Sequence, residues 1–486
     1  LRTEAQAAVS LLSKRVWTPD DTKSIVMDFA HGADECLLFL QHLESIEVWD
    51  ACEMLSRSRI VLGESERTSN NNALRVSRRA LSHSANASSD QKDAGGPATQ
   101  QRTSFEMTIE AFLSCSETAA KTRTRTWAIY CGAVFEDATT TRLAKALGLI
   151  PFGAIAAAVT GPSSNQSVTD RSSTTEEDSL TVRGRPYTFL PLPLFSGLPV
   201  HINANFALSD NRRTILVSDG GSSTELVGEA EARASWNVAL LTHVLPTLYA
   251  EFLAERVRVF EDTEWSRDQG SATSMIYRYW PTITVGEQSG ALSNHFRSLC
   301  KSTIQIIATK GMPLFQDCIS KQFYAFPSSS TSSSSLVFIN RRELGTELVS
   351  MAEEALQAVA VKDMKLCSPT QDIMDSIIGA GLKVTLLTPQ FVARAITKAL
   401  REKKMTVKVS DSISARIFNF LLTFILVKSK QSDKEIGGGD SKGDSGDSDE
   451  DVVAGSHTEK LENGLSILDG LPCIPLKDGT FGILEC

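Results

Sequence analysis

Four polar, low-complexity stretches cut this sequence and leave a fold to be built only from what lies between them. They run from about Ser65 to Arg102, over Gly161–Ser179, over Pro327–Ser335, and over Ser429–Glu459 with GGGDSKGDSGDSDED at its centre. None has the apolar content needed to offset the entropy of ordering a chain. Patterned sequence resumes on both sides of each, so they read as loops inserted into domains. The acidic run Asp440–Asp451 has carboxylates and glycines but no bounded twelve-residue loop between helices, so a solvated loop is favoured over a calcium site.

The segments between divide into four regions. Residues 1–60 read as a connector helix and strand. Residues 61–232 read as an α/β subdomain carrying disordered insertions near 65–102 and 161–179. Residues 233–326 read as helical. Residues 336–486 read as a helical C-terminal region with a disordered acidic insertion near 429–459. Asp28–His42 has apolar residues at helical spacing through Phe29, Ala33, Leu37 and Leu40. Ser45–Ala51 alternates as a strand, with Ile46 and Val48 facing one way and Glu47 and Trp49 the other. Phe105–Phe112 and Thr126–Val134 are further strands, Thr140–Leu147 is a short helix, and Phe152–Thr160 is a small-residue strand that another layer can approach closely.

Pro191 and Pro193 exclude a central regular strand, and Gly197 supplies a turn. Val200–Leu208 alternates, with Val200, Ile202, Ala204 and Phe206 on one face and His201, Asn203 and Asn205 on a polar one. A hairpin through Asp219-Gly220-Gly221 is expected to follow. Ser235 is the expected N-cap of a helix in which Pro246 makes a kink or break, and Thr388-Pro389 starts another. Ile417–Val427 is apolar but far shorter than the roughly 20 residues that a bilayer requires, which suits a buried core helix. Leu471–Leu484 reads as a closing hairpin turning at Asp478-Gly479. The fold class is therefore α+β: a mixed-sheet subdomain, then a mainly helical region, then a terminal β hairpin.

The chain has 486 residues and a net charge of -9, which disfavours nucleic acid as a partner. Nine cysteines are scattered without a CxxC pair, so zinc is not expected and reduced thiols are. There is no GxSxG, HExxH, P-loop or GxGxxG, and hence no catalytic centre in this chain alone. His201 is expected to be a hydrogen-bonded structural histidine rather than a general base. The aromatic cluster Tyr277, Tyr279 and Trp280 is expected to be a local core. The chemistry-bearing constellation is Asn211-Arg212-Arg213, at a strand exit. Guanidinium forks there suit a phosphate or carboxylate; alternatively they pair with acidic loops such as Glu225–Glu231.

The block Gly184–Arg213, GRPYTFLPLPLFSGLPVHINANFALSDNRR, resembles the signature of the repeated regions of the sacsin family: an FLPLP run, GLPVH, an asparagine-bearing strand and NRR. Leu37–Val48, Phe152–Val159, Trp236-Asn237, Tyr279-Trp280-Pro281 and Leu471–Phe481 resemble further family segments in the same order. The resemblance implies a cytoplasmic chaperone or co-chaperone. Its repeats are similar to the ninety-kilodalton heat-shock chaperone: an ATP-binding subdomain of GHKL type, a βαβ second subdomain, then helical material. On this basis the chain is the part downstream of the ATP-binding subdomain. Its partners would be that subdomain, client proteins and the seventy-kilodalton chaperone system, with no membrane and no nucleic acid. ATP and magnesium would belong to the longer protein and not to this chain. Arg212 and Arg213, supported by Asn211, would sense the terminal phosphate. Asn203-Ala204 stands where the family has Asn-Gly. Two other readings remain: a non-catalytic scaffold with a vestigial ATPase-related fold, and a fragment of a MutL-type DNA-repair ATPase.

Overall fold

A chain that alternates strands and helices between polar insertions must pack them in layers. The computed structural model describes residues 18–50, 53–62, 73–83, 102–115, 118–159, 182–217, 228–262, 276–282, 291–318, 320–327, 335–339, 364–388, 391, 395, 472–475 and 481–483. The architecture is α+β around a mixed sheet. Two compact units divide the chain, Leu1–Ile306 and Ile307–Cys486.

The first unit opens with α1 (Pro19–Cys36). Thr18 Oγ1 accepts from the Asp21 N–H at 3.1 Å, Asp21 Oδ2 accepts from the Thr18 N–H at 3.0 Å, and Pro19 supplies a preset first position. This capping box starts the helix well before the apolar spacing that begins at Asp28. Phe29 is 50% exposed, Ala33 and Leu37 are buried, and the helix ends at Cys36, short of the His42 that the apolar spacing reached.

The sheet then builds from β1 (Ser45–Asp50) and β2 (Glu53–Ile60). After α2 (Ala73–His83) come β3 (Thr103–Cys115), β4 (Thr118–Ala133), α3 (Ala138–Leu147) and β5 (Phe152–Ala158). The short β6 (Pro186–Thr188), β7 (Leu190–Pro191) and β8 (His201–Ala204) complete it. Strand order is β1-β2-β3-β4-β5-β8-β6-β7, antiparallel throughout except for the parallel pair of β6 with β8. Pro191 lies on the two-residue edge strand, where a missing N–H costs no ladder bond.

Part of the first polar stretch is folded: α2 lies inside the span expected to be disordered. It is held by arginine chemistry together with Leu74, which packs against the core. Arg75 makes a forked pair with Glu44 at 2.6 and 2.9 Å. Arg78 is 1% exposed and donates to the carbonyls of Leu40 and Leu43, and burial pushes its pKa down to about 10.

All seven residues of β5 are buried. One of its faces joins a core of Leu37, Phe39, Trp127, Ile129, Ala154, Ala156 and Tyr187. On the other face, a Cβ placed on Gly153 would lie 2.9 Å from Leu248 Cδ1 and 3.0 Å from Leu245 Cδ2. The small side chains of this strand thus admit a helix at close range, as their run in the sequence suggested.

That helix is α5 (Leu245–Asp262), reached through α4 (Glu229–Ala239) and a π-turn at Leu240–Val244. Two sequence expectations change here. Ser235 is interior to α4; the helix starts after Gly228, where Glu229 and Glu231 suit the positive N-terminal end. Pro246 does not break the rod. Lacking an N–H, it leaves the carbonyl of Thr242 without its usual donor, and the local widening to a π-turn accommodates this. Tyr277, Tyr279 and Trp280 are all buried; the Tyr249 hydroxyl donates to the Tyr279 carbonyl at 2.8 Å. A further helix, α6 (Ala291–Thr309), follows.

The second unit carries the hairpin β9 (Pro313–Gln316) and β10 (Phe323–Ala325), and a parallel three-stranded sheet. Its strands are β11 (Ser335–Phe338), β12 (Met364–Cys367) and β13 (Thr385–Leu386), in the order β12-β11-β13, with α7 (Gln371–Gly379) between the last two in sequence. The helical patterning gave no sign of these short strands. Thr388 Oγ1 accepts from the Phe391 N–H at 3.2 Å, the capping bond expected of Thr388-Pro389. β14 (Pro472–Pro475) and β15 (Phe481–Ile483) form the expected antiparallel terminal pair. The apolar run Ile417–Val427, the insertion Gly161–Ser179, the acidic insertion and Asp219-Gly220-Gly221 lie outside the described residues. Among the described residues no helix is long and apolar enough to cross a membrane.

Candidate functional site: an exposed arginine hairpin

The chain leaves β8 at Asn205 and folds back on itself. Leu208 and Ile215 form an antiparallel bridge. The Leu216 N–H donates to the Ala207 carbonyl at 3.1 Å, and the Ser209 N–H to the Thr214 carbonyl at 3.0 Å. The tip is therefore Asp210–Arg213. It closes with the Arg212 N–H on the Ser209 carbonyl at 2.7 Å.

The tip is shaped by side-chain oxygens. Asn211 Oδ1 accepts from the Arg213 N–H at 3.0 Å and from the Ser209 hydroxyl at 2.7 Å. Ser209 Oγ and Thr214 Oγ1 are 2.8 Å apart. Asn211 thus spends its acceptor on the turn itself. Arg212 takes a left-handed backbone, φ 55°, which costs a non-glycine residue about 1 kcal/mol. No Gly marks this turn, which is why apolar and turn patterning alone did not show it.

The base of the hairpin rests on α4. Trp236 and Asn237 are both fully buried. The Trp236 indole N–H donates to the Asn205 carbonyl at 2.8 Å. Asn237 Oδ1 accepts from the Ala207 N–H at 2.8 Å, while its Nδ2 donates to the carbonyls of Ala207 and Leu216 at 2.7 and 2.6 Å. The chain is anchored below while Asn211, Arg212 and Arg213 stand exposed above.

Neither Arg212 nor Arg213 has an ion-pair or hydrogen-bond partner for its side chain among the described residues. Glu229, within the acidic stretch considered for that role, pairs instead with Arg233 at 2.6 Å. Two neighbouring forks of donors with open faces fit the oxygens of a phosphate or carboxylate. They do not hold magnesium, which takes oxygen ligands. Among the described residues no group of three or more His, Cys, Asp or Glu converges as a metal site.

His201 departs from its expected surroundings. The polar face of its strand is not solvated, because His201 is 0% and Asn203 1% exposed. His201 Nδ1 accepts from the Arg185 N–H at 3.1 Å, so the neutral ring carries its proton on Nε2, 3.9 Å from Glu35 Oε1. The rings of Trp127 and Tyr187 lie 5.2 and 5.3 Å away. Burial, with the charges of Arg185 and Arg125, pushes the imidazole pKa down to about 3. Burial and Asp34 raise that of Glu35. Asn203 Oδ1 accepts from the N–H of Phe189, itself at φ 62°. Both polar side chains of β8 thus bind the backbone of the adjoining segment, and His201 is structural as expected.

These features define an α+β protein with an arginine turn presented from a fixed base. No family model matches the chain, and no solved structure does. Among curated proteins, human Sacsin is 36% identical to it over 102 residues, 20% of this chain. The match spans 2% of Sacsin's length.

Proposed function

We propose that this chain is a sacsin-like segment of a larger chaperone or co-chaperone. In that protein it couples an ATP-binding subdomain, encoded upstream, to contacts with client proteins. Arg212 and Arg213 are the nucleotide-facing residues in this reading. When the subdomain docks, their guanidinium groups reach the terminal phosphate and neutralise charge developing there during hydrolysis. One observation carries the reading: two adjacent arginines stand exposed and unpaired among the described residues, on a turn fixed from beneath by Trp236 and Asn237. The similarity to Sacsin and the resemblance of Gly184–Arg213 supply the chaperone context. ATP and magnesium bind on the upstream subdomain, and cytoplasmic protein quality control is the setting, with the seventy-kilodalton chaperone system as a partner.

The test is ATP hydrolysis by the full-length polypeptide carrying Arg212→Ala or Arg213→Ala. An arginine that meets the transferring phosphoryl group is worth about 10³-fold or more in rate. A loss of that order in at least one variant, with unchanged thermal stability, supports the reading. Unchanged hydrolysis in both overturns it.

A further inference from the structure

We propose that Asn237 is the positioning residue of the arginine hairpin, the side chain that fixes where Arg212 and Arg213 stand. The hairpin has short arms, and its tip is held by polar bonds exposed to water. Such bonds contribute little against solvent competition. Among the described residues, the fully buried polar side chain that grips both arms is Asn237. It engages Ala207 on the outgoing arm twice and Leu216 on the returning arm once.

The chemistry demands a carboxamide. The site offers one N–H and two carbonyl oxygens, so its partner must supply one acceptor and two donors. Aspartate has the shape but not the donors. Serine has one donor and a shorter reach. Glutamine adds a methylene to a site with no exposed surface. The Trp236 indole, one residue earlier, holds the Asn205 carbonyl where the outgoing arm begins.

The hairpin is therefore an attachment of α4 rather than an independent loop. α4 runs through the π-turn into α5, whose Leu245 and Leu248 seat against Gly153 of β5. The position of the arginines is referred through Asn237 to that helix–sheet contact. What the arginines contact rests on the function proposed above; the attachment rests on the hydrogen bonds alone.

Asn237→Asp in the full-length polypeptide separates these ideas. Above its pKa the new carboxylate faces the carbonyls of Ala207 and Leu216, and the grip is lost. Once protonated, it regains one donor. The readout is amide hydrogen-exchange protection of residues 207–216, compared with the parent protein at each pH. Protection is expected to fall about tenfold or more at pH 8, the loss of two buried hydrogen bonds, and to recover in part towards pH 5. β5 should keep its protection. Unchanged hairpin protection at pH 8, or an equal loss across β5, overturns the proposal. If the aspartate variant does not fold, Asn237→Ser is read by the same two criteria without the pH arm. Should Arg212→Ala and Arg213→Ala leave hydrolysis unchanged while Asn237→Asp frees the hairpin, the nucleotide role falls and the positioning role stands.

Discussion

The two halves of the stretch from Gly184 to Arg213 are neighbours in sequence and opposites in physics. The first half, through β8, is largely buried, and two of its polar side chains, His201 and Asn203, are spent on backbone. Arg185 lies over the Phe195 ring at 4.4 Å, His201 takes the Arg185 N–H, and Asn203 takes that of Phe189. The second half ends in charge that nothing in the described chain neutralises. The contrast shows what each polar residue is for. A polar side chain under a covered sheet secures the backbone, since leaving it or its partner unsatisfied costs roughly 1–3 kcal/mol. A charge exposed at the surface contributes almost nothing to folding.

The buried half should break first and hardest. Gly184 lies where its N–H donates to the Leu198 carbonyl at 2.9 Å and its own carbonyl accepts from the Ser196 N–H at 2.8 Å. A Cβ there collides with the carbonyl oxygens of Leu198 and Val200, and backbone cannot swing aside as a side-chain tip can. Gly184→Ala should lose about 3 kcal/mol or more, read as a lowered denaturation midpoint. A loss within about 0.5 kcal/mol would show that the segment is not packed as described.

A smaller effect separates the halves by pH. In the unfolded chain His201 takes a proton near 6.5, whereas in the fold it resists until about 3. Between those values the unfolded state binds more protons, so stability falls as pH falls, by about 1 kcal/mol for each pH unit. Glu35 works against this. Its raised pKa means that the folded state binds a proton more readily than the unfolded one, so acidification relieves a cost. Replacing His201 with Gln should flatten the decline in unfolding free energy between pH 6.5 and 4 by close to one proton's worth. Equal slopes in the two proteins would refute the buried neutral imidazole.

How much of this could be read in the sequence follows the same division. The small residues of β5 and the aromatic cluster at Tyr277–Trp280 announce burial directly, because size and apolarity are local properties. Arg212 and Arg213 stand out in the sequence by type, and the fold adds only that they are exposed on a turn. Features that depend on a distant partner were not visible. α2 shows few apolar residues, and much of its attachment runs through Arg78 to carbonyls at Leu40 and Leu43. The polar alternation of β8 looks the same whether its face meets water or the backbone of residues 185–189. The start of α1 is written in Thr18-Pro19-Asp20-Asp21, a cap that lies ten residues before the apolar spacing begins at Asp28. Asn237 is one asparagine in an ordinary helix, and only the fold brings Ala207 and Leu216 to it.

The exposed half gives the smallest effect and the sharpest separation of stability from function. Arg212 sits at φ 55°, a conformation in which glycine carries no penalty. Its side chain has no partner among the described residues, so its removal costs the fold no contact there. Glycine gains in the folded state but loses more freedom on folding, and the two oppose each other. Arg212→Gly should therefore shift stability by no more than about 1 kcal/mol, in the stabilising direction if strain relief prevails. The same substitution removes one of the two charges offered to a phosphate. A thermal melt and a hydrolysis assay on one sample then test both halves of the comparison. Retained stability with lost hydrolysis marks a residue kept for its partner. A loss of several kcal/mol would instead mean that Arg212 holds the hairpin together, and that the exposed half of the block is structural after all.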